Sequence, residues 1–154
     1  MKYNNRPQIG EHLGECLGRM WLKQAKAGRL KHPPIAVVPL PMHATKRRDR
    51  GFDQAEAIAQ GFCRITGLPL IAQGLQRVRP TRALFELSPD ERQRELDRAL
   101  QIGAARAELR QLDRHILLID DIFTTGATAQ AGARALRSAG FSVYGLAAIA
   151  TTAR

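Results

Sequence analysis

Ile116-Leu117-Leu118-Ile119-Asp120-Asp121-Ile122-Phe123-Thr124-Thr125-Gly126-Ala127-Thr128 is the stretch whose reading decides the fold. Its first four residues are apolar on both faces, the pattern of a short central parallel strand covered by helices. Side chains alternate between faces along a strand, so Asp120 and Asp121 serve one ligand only if the chain turns out of the sheet there. The residues after them supply a glycine that tolerates positive φ, three hydroxyls, and a run of backbone N–H groups at the start of an Ala-rich helical segment. Orphan donors and the helix dipole favour a phosphate at such a place. A carboxylate is an acceptor with no proton to give at neutral pH, so the two acids suit sugar hydroxyls or a magnesium ion. The stretch therefore reads as an anion site beside a diol clamp. Neither G-x-x-x-x-G-K-[ST] nor G-x-G-x-x-G occurs in the chain, which sets aside the two commoner nucleotide motifs.

Outward from this stretch, periodicity fills in the architecture. Ile35 to Val38 and Val143 to Ile149 read as strands. Ile9, Leu13, Leu17, Met20 and Trp21 recur at helical spacing, the pattern of an amphipathic face, and so do Ala55, Ile58, Ala59, Phe62 and Ile65. Gly67 and Gly140 sit where helices should stop. Ser88-Pro89-Asp90-Glu91 reads as a helix start, with Ser88 as cap, Pro89 in the first position and Glu91 closing a capping box. A charged helix follows to about Arg98 and puts Arg92 on a solvated face. The Arg-rich stretch Gln76 to Arg82 reads as a loop. Strand and helix in alternation imply a parallel sheet with ligands at the carboxyl ends of its strands, where Asp120 and Thr125 would lie. The expectation is an α/β, Rossmann-like fold, a central mostly parallel sheet flanked by helices, in one domain spanning residues 1–154.

The stretch from Ile116 to Thr128 resembles the phosphoribosyl-pyrophosphate (PRPP) signature of type I phosphoribosyltransferases. Two upstream segments narrow the resemblance: Val37-Val38-Pro39-Leu40-Pro41-Met42-His43, and Lys46-Arg47-Arg48-Asp49-Arg50-Gly51-Phe52-Asp53-Gln54-Ala55. They are similar to the ComF/GntX family of competence-associated, phosphoribosyltransferase-like proteins, in which a V-P-x-P strand end precedes an R-G-F-N-Q-A element. Arg77, Arg79, Thr81, Leu87, Ser88, Arg92 and Leu96 continue that family's pattern into the acidic signature. The resemblance runs from about Lys2 to the end of the chain.

It implies a type I phosphoribosyltransferase fold and roles for individual residues. Asp120 and Asp121 would hold the ribose hydroxyls and, indirectly, magnesium as cofactor. Thr124, Thr125, Gly126, Ala127 and Thr128 would hold the 5-phosphate. Pro39 and Pro41 would shape the turn beside pyrophosphate, with Arg47, Arg50, Gly51 and Phe52 on the pyrophosphate or acceptor side. Arg77 would join the two acids as a catalytic charge partner. The implied reaction displaces pyrophosphate from C1 of PRPP with a nitrogen nucleophile. Such a reaction depends on positioning and on stabilising the leaving group more than on a strong base, and no obvious base is present.

Three residues depart from the family's pattern. Asp53 stands for Asn, and with Glu56 three residues on it reads as a helix capping box, where Asp and Asn serve about equally. Leu84 stands for Gln and Glu95 for Asn, in a region that resembles a mobile loop over pyrophosphate. These two bear on catalysis more than on PRPP binding. Members of the family commonly begin with a Cys-rich zinc ribbon, and Met1-Lys2-Tyr3 resembles the family's entry after such a segment, so the expectation is a chain without the ribbon.

Composition sets the outer bounds. Of 154 residues, 44% are hydrophobic and 5% aromatic, which suits an Ala/Leu/Ile-rich α/β protein with a sizeable core. No signal-peptide pattern, no run of 18 apolar residues and no lipidation motif is present, so the expected location is cytoplasmic, with no membrane partner. Cys16 and Cys63 lack C-x-x-C spacing and read as reduced, buried, small hydrophobes. Among the histidines, His43 sits at a strand end near basic residues, where a structural role competes with a phosphate contact.

Lys and Arg number 24 against 14 Asp and Glu, a net charge of +10. The positive residues cluster at Lys46, Arg47, Arg48 and Arg50 and again at Arg77, Arg79 and Arg82. Arg forks bind the phosphates of PRPP, single-stranded DNA or RNA is the other natural ligand, and plain solubility is a third use of such charge. Stacking platforms are few, Tyr3, Phe52, Phe85 and Phe123, so sequence-specific single-strand recognition is not indicated. Two function classes follow. One is a PRPP-dependent transferase. The other is a non-catalytic nucleotide or single-stranded DNA-binding module acting in DNA uptake beside a competence helicase, with a homodimer as a further candidate assembly.

Overall fold

Helices and strands alternate along the chain except where α2 leads directly into α3: α1 (Pro7–Lys26), β1 (Ile35–Pro39), α2 (Ala44–Arg50), α3 (Gln54–Thr66), β2 (Leu75–Arg77), α4 (Pro89–Ala99), β3 (Leu100–Ile102), α5 (Arg106–Leu112), β4 (His115–Phe123), α6 (Ala127–Ser138) and β5 (Val143–Thr151). This computed structural model describes residues 6–31, 35–79, 86–112 and 115–152, apart from the side chains of Ala44 and Lys46. β1, β4 and β5 form a parallel sheet in the order β1-β4-β5. On the far side of β1, Val37 donates to the Pro69 carbonyl and Ile71 donates to the Val37 carbonyl, both at 2.8 Å, so Leu70 extends the sheet by a single parallel bridge.

The run Ile116 to Ile119 forms the middle of β4, and each of its side chains is at most 1% exposed. Burial on both faces is what a parallel strand under helices demands, and alternate residues feed two cores. Ile116 and Leu118 pack with Val38, Leu40, Leu75 and Leu136 on the α6 side, while Leu117 and Ile119 pack with Val37, Ile58 and Phe62 on the α3 side.

Four short elements were not legible in the sequence: α2, β2, β3 and α5. β2 and β3 pair antiparallel as a separate ribbon, with Gln76 opposite Gln101, so the start of the stretch expected to be a loop is a strand. Three residues are too few to display a period of two.

α1 also departs from expectation. Its spacing put Ile9 and Met20 on the packed face, yet they are 56% and 63% exposed, while Gly10, Gly14 and Gly18 are buried. A Cβ at Gly14 would overlap the carbonyl of Ile58, and one at Gly61 would overlap the carbonyl of Glu11. The α1 and α3 backbones therefore touch, and glycine is required for the approach. Arg64 of α3 braces the pair from outside, reaching Glu11 at 2.7 Å and Glu15 at 2.8 Å.

The predicted stops and starts elsewhere are present. Gly67 closes α3 with φ 72°, and the capping box of α4 is complete, with Ser88 accepting from the Glu91 N–H and Glu91 accepting from the Ser88 N–H. α4 ends at Ala99, close to the expected Arg98, and Arg92 is half-buried instead of lying on a solvated face.

Candidate ribose-phosphate site

β4 carries the two acids, and it does not leave the sheet where the sequence suggested. The strand runs on through Phe123, pairing Asp120 with Ala148, Ile122 with Ala150 and Phe123 with Thr151, so the turn begins at Thr124. Two things hold the acids in extended backbone. β5 continues the ladder, and each carboxylate accepts the next residue's N–H, Asp121 to Asp120 Oδ1 and Ile122 to Asp121 Oδ1, both at 2.8 Å. β1 stops at Pro39, opposite Ile119, so both acids lie past the end of the β1 ladder.

The two carboxyl groups approach each other in spite of the pleat. Burial pushes Asp120 up to about 7; the neighbouring Asp121 carboxyl adds to the rise, while the Asp121 N–H and the charge of Arg77 work against it. The site thus holds the Asp120 proton more tightly than water does.

Arg77, at the end of β2, is drawn into the same neighbourhood. Burial lowers its pKa from the ordinary guanidinium value, and the charges of Asp120 and Asp53 oppose that shift. Its Nε is buried without a hydrogen-bond partner. A cation near two carboxylates with a spare N–H can donate to an anionic oxygen.

Asp53 is 5% exposed and works with both oxygens. Oδ1 accepts from the N–H groups of Ala55 at 3.0 Å and Glu56 at 3.3 Å, capping α3, and Oδ2 accepts from the Met42 N–H at 2.8 Å. The cap is as expected, but the box is not closed, since Glu56 turns to Arg47 at 2.8 Å. Asp53 thereby ties the Pro39–His43 loop to the first turn of α3.

That loop and the β2–β3 ribbon enclose a cleft of about 330 Å³. Pro39, Pro41, Met42, Arg47, Asp53 and Glu56 line one side, with Gln73, Gln76, Arg77, Gly103 and Ala104 on the other. Of the residues expected on the pyrophosphate side, Pro39, Pro41 and Arg47 are brought together here with Arg77. Arg50, Gly51 and Phe52 sit instead at the α2–α3 junction, where Gly51 closes α2 with φ 80°. Gln73 and the Gly103–Ala104 turn gave no sequence signal for the cleft, because a three-residue ribbon places them, and Asp53 was legible only as a helix cap.

The turn after β4 has the expected glycine geometry. Gly126 is the N-cap of α6 with φ 79°, and a Cβ there would sit 2.8 Å from the Phe123 ring. Thr125 Oγ1 accepts from the Ala127 N–H, the first of the helix, at 3.4 Å, and Gly126 itself has no side chain to cap with. Thr128 lies inside the first turn of α6. α4 braces this turn, with Gln93 donating to the Ala127 carbonyl at 3.3 Å and Asp97 pairing with Arg134 at 2.6 Å.

His43 Nδ1 accepts the Thr45 N–H and caps α2, a structural role. Glu95 pairs with Arg98 along α4 at 3.5 Å and does not line the cleft. Burial raises the Cys63 thiol to about 12, as befits an inert cysteine packed against the core, whereas Cys16, expected to be buried, is exposed on α1. Tyr3, Thr81, Arg82, Leu84 and Phe85 lie outside the described residues. Among the described residues, no group of three or more His, Cys, Asp or Glu forms a metal cage. Two adjacent carboxylates nonetheless fit magnesium held by one or two acids together with ligand phosphates. No helix of the described residues is long and apolar enough to cross a membrane.

No family model matches the chain. It is 28% identical over 149 residues to Competence protein F of Haemophilus influenzae, covering 95% of this chain and 64% of that protein. It is 29% identical over 128 residues to the DNA utilization protein YhgH of Salmonella typhimurium and 28% identical to that of Escherichia coli, each match covering 83% of this chain and 54% of the relative. The chain thus spans somewhat more than half the length of these curated relatives. Among solved structures, that of the allosteric regulatory enzyme of purine biosynthesis matches with a TM-score of 0.52 and 18% identity, over 92% of this chain and 25% of that one. The chain is therefore related in sequence to competence and DNA-utilization proteins, and its mostly parallel sheet flanked by helices resembles the phosphoribosyltransferase type of fold.

Proposed function

We propose that this chain is a ComF/GntX-family unit that binds a 5-phosphorylated ribose ligand, PRPP or a nucleotide, within a protein that handles single-stranded DNA during uptake. The observation that carries the reading is the Asp120–Asp121 pair at the end of the central strand, followed directly by the Gly126 turn into α6. Carboxylates accept from the 2- and 3-hydroxyls of a ribose, and the first N–H groups of α6 are directed at its 5-phosphate. Magnesium, held by the same acids and the ligand's phosphates, would supply charge neutralisation. The exposed side chains of Arg48 and Arg50, one loop away from the cleft, suit a nucleic-acid backbone, and a helicase belongs to this reading as partner.

Calorimetry with PRPP and magnesium, ribose 5-phosphate and short single strands tests the proposal. Binding of the sugar phosphates should weaken at least about tenfold in Asp120→Asn with Asp121→Asn. A protein that binds neither sugar phosphate at millimolar concentration rules the reading out.

Phosphoribosyl transfer is the second reading, favoured by Arg77 and Arg47 lining a cleft beside Asp120. In that reaction a nitrogen nucleophile would attack C1, the bond from C1 to the pyrophosphate oxygen would break with its electron pair leaving on pyrophosphate, Arg77 would offset that charge, and the nitrogen's proton would pass to water. Release of pyrophosphate with a panel of purines and pyrimidines decides it, and no release with any base excludes transfer to those acceptors.

A further inference from the structure

Resting on the ribose 5-phosphate reading above, the geometry points to Glu56 as the residue that sets which ligand the cleft accepts. It occupies Arg47 and adds a carboxylate of its own, so that a ribose carrying one phosphate is preferred to one that also carries pyrophosphate at C1. The chain as a whole is strongly basic, at +10, and its cleft is not. Among the described residues, four charged side chains line the cleft, Arg47, Asp53, Glu56 and Arg77, two of each sign. Asp120 adds a further carboxylate, near enough from the side of β4 to act on Arg77.

The counter-charge that matters most is Glu56. Asp53 gives both oxygens to backbone N–H groups, whereas Glu56 spends its carboxylate on a guanidinium, meeting Arg47 at 2.8 Å across the α2–α3 corner. As the third residue after the Asp53 cap it is placed to reach back to the cap's own N–H, and it faces the cleft instead. Its side chain is 20% exposed against 52% for Arg47, so the carboxylate is the fixed wall and the guanidinium the part free to move. A polyanion entering the cleft must draw Arg47 away and then lie beside a carboxylate that has lost its counter-ion. Like charges repel more strongly in such a partly desolvated place than in water. The ion pair itself, half in solvent, contributes little to folding, so the effect of Glu56 falls on binding.

A single 5-phosphate escapes this repulsion. It belongs to the turn into α6, and residues 124–128 take no part in lining the cleft. With the ribose hydroxyls on Asp120 and Asp121, the substituent at C1 is what the cleft receives. An uncharged group that hydrogen-bonds finds the amides of Gln73 and Gln76 in the lining, while pyrophosphate finds Glu56.

Calorimetry without added metal, comparing ribose 5-phosphate, PRPP and inorganic pyrophosphate, tests the assignment. The wild type should bind ribose 5-phosphate at least as tightly as PRPP, although PRPP offers more phosphate. Glu56→Gln, isosteric and uncharged, should gain at least about tenfold more affinity for PRPP and for pyrophosphate than for ribose 5-phosphate. Adding Arg47→Ala should remove most of that gain, because the freed guanidinium is what collects the added phosphates. A pair that serves only to hold α2 to α3 predicts the opposite, a Glu56→Gln protein that binds all three ligands more weakly. That outcome overturns the proposal, as does a wild type that prefers PRPP tenfold over ribose 5-phosphate, or a gain that is the same with and without Arg47. A wild type that binds no ribose 5-phosphate sinks the ribose reading by itself, and the pyrophosphate arm, which needs no ribose, still decides the role of Glu56.

Discussion

At the scale of single residues, Asp120 is placed against its own ionisation. Its folded value of about 7 lies above the ordinary 3.8, so the folded chain holds the proton more tightly than the unfolded chain. The stability this contributes is complete below about pH 4 and is lost as pH rises through about 7. Asp120→Asn should therefore melt a few degrees above wild type on the alkaline side of that window and match it on the acid side, while binding PRPP or nucleotide more weakly. A melting temperature below wild type at every pH would mean that the carboxylate stabilises the fold. Asp53 is a buried carboxylate with both oxygens occupied. Asp53→Asn keeps the α3 cap but turns a donor toward the Met42 N–H or leaves that N–H unpaired, at a cost of about 1–3 kcal/mol in urea unfolding. Unchanged stability would show that the loop does not depend on this bond. Gly126→Val should lose phosphate binding, because φ 79° and the Phe123 ring leave no room for a branched side chain. Thr128→Ala, inside the helix, should keep most of its stability. A Gly126→Val protein with wild-type affinity for ribose 5-phosphate would place the phosphate elsewhere.

At the scale of elements, the closest contact in the fold is between α1 and α3, where backbone meets backbone. Gly14→Ala and Gly61→Ala should each destabilise by about 2–4 kcal/mol, since the added methyl overlaps a carbonyl that belongs to a packed helix. Ile9→Ala should be close to neutral in the monomer, because its side chain is mostly in water. Chemical denaturation of the three variants separates this arrangement from one in which the apolar stripe packs inward, which would reverse their order. The same pair explains where sequence reading succeeded and failed. Ile116 to Ile119, the Ser88 box, the Asp53 cap and the Gly67 stop were legible because each depends on chemistry within a few neighbouring residues. The inward face of α1 was not, because glycine carries no hydrophobic signal and its burial arises from the approach of a second helix. The ribbon Leu75–Arg77 with Leu100–Ile102 escaped for want of length, and with it the far wall of the cleft. The extension of β4 through the two acids depends on β5, whose register no local pattern encodes.

At the scale of the whole molecule, the distribution of charge is the property most exposed to solution conditions. Binding of single strands should weaken with salt, at a slope of about −0.7 per phosphate contact, and should tolerate changes of sequence. Replacing Arg48 by Ala should flatten the slope more than replacing Arg47, which is already paired with Glu56 at 2.8 Å. Titrations at several salt concentrations check this, and an affinity indifferent to salt would leave the charge as a matter of solubility. The order of the sheet has a further consequence during synthesis on the ribosome. β1 takes its place beside β4, and Ile35 meets no partner there until His115 has been made. α3 meets α1 much earlier, once Thr66 has been added. A nascent chain therefore passes through a long interval with its glycine-packed helices assembled and an apolar strand, Ile35-Ala36-Val37-Val38, waiting beside them with the Leu70 bridge as its one strand contact. Parallel pairing across such a separation is slow, and an uncovered strand invites aggregation. The pace of translation between α3 and β4, more than the final stability, then governs how much of this protein a cell recovers in soluble form.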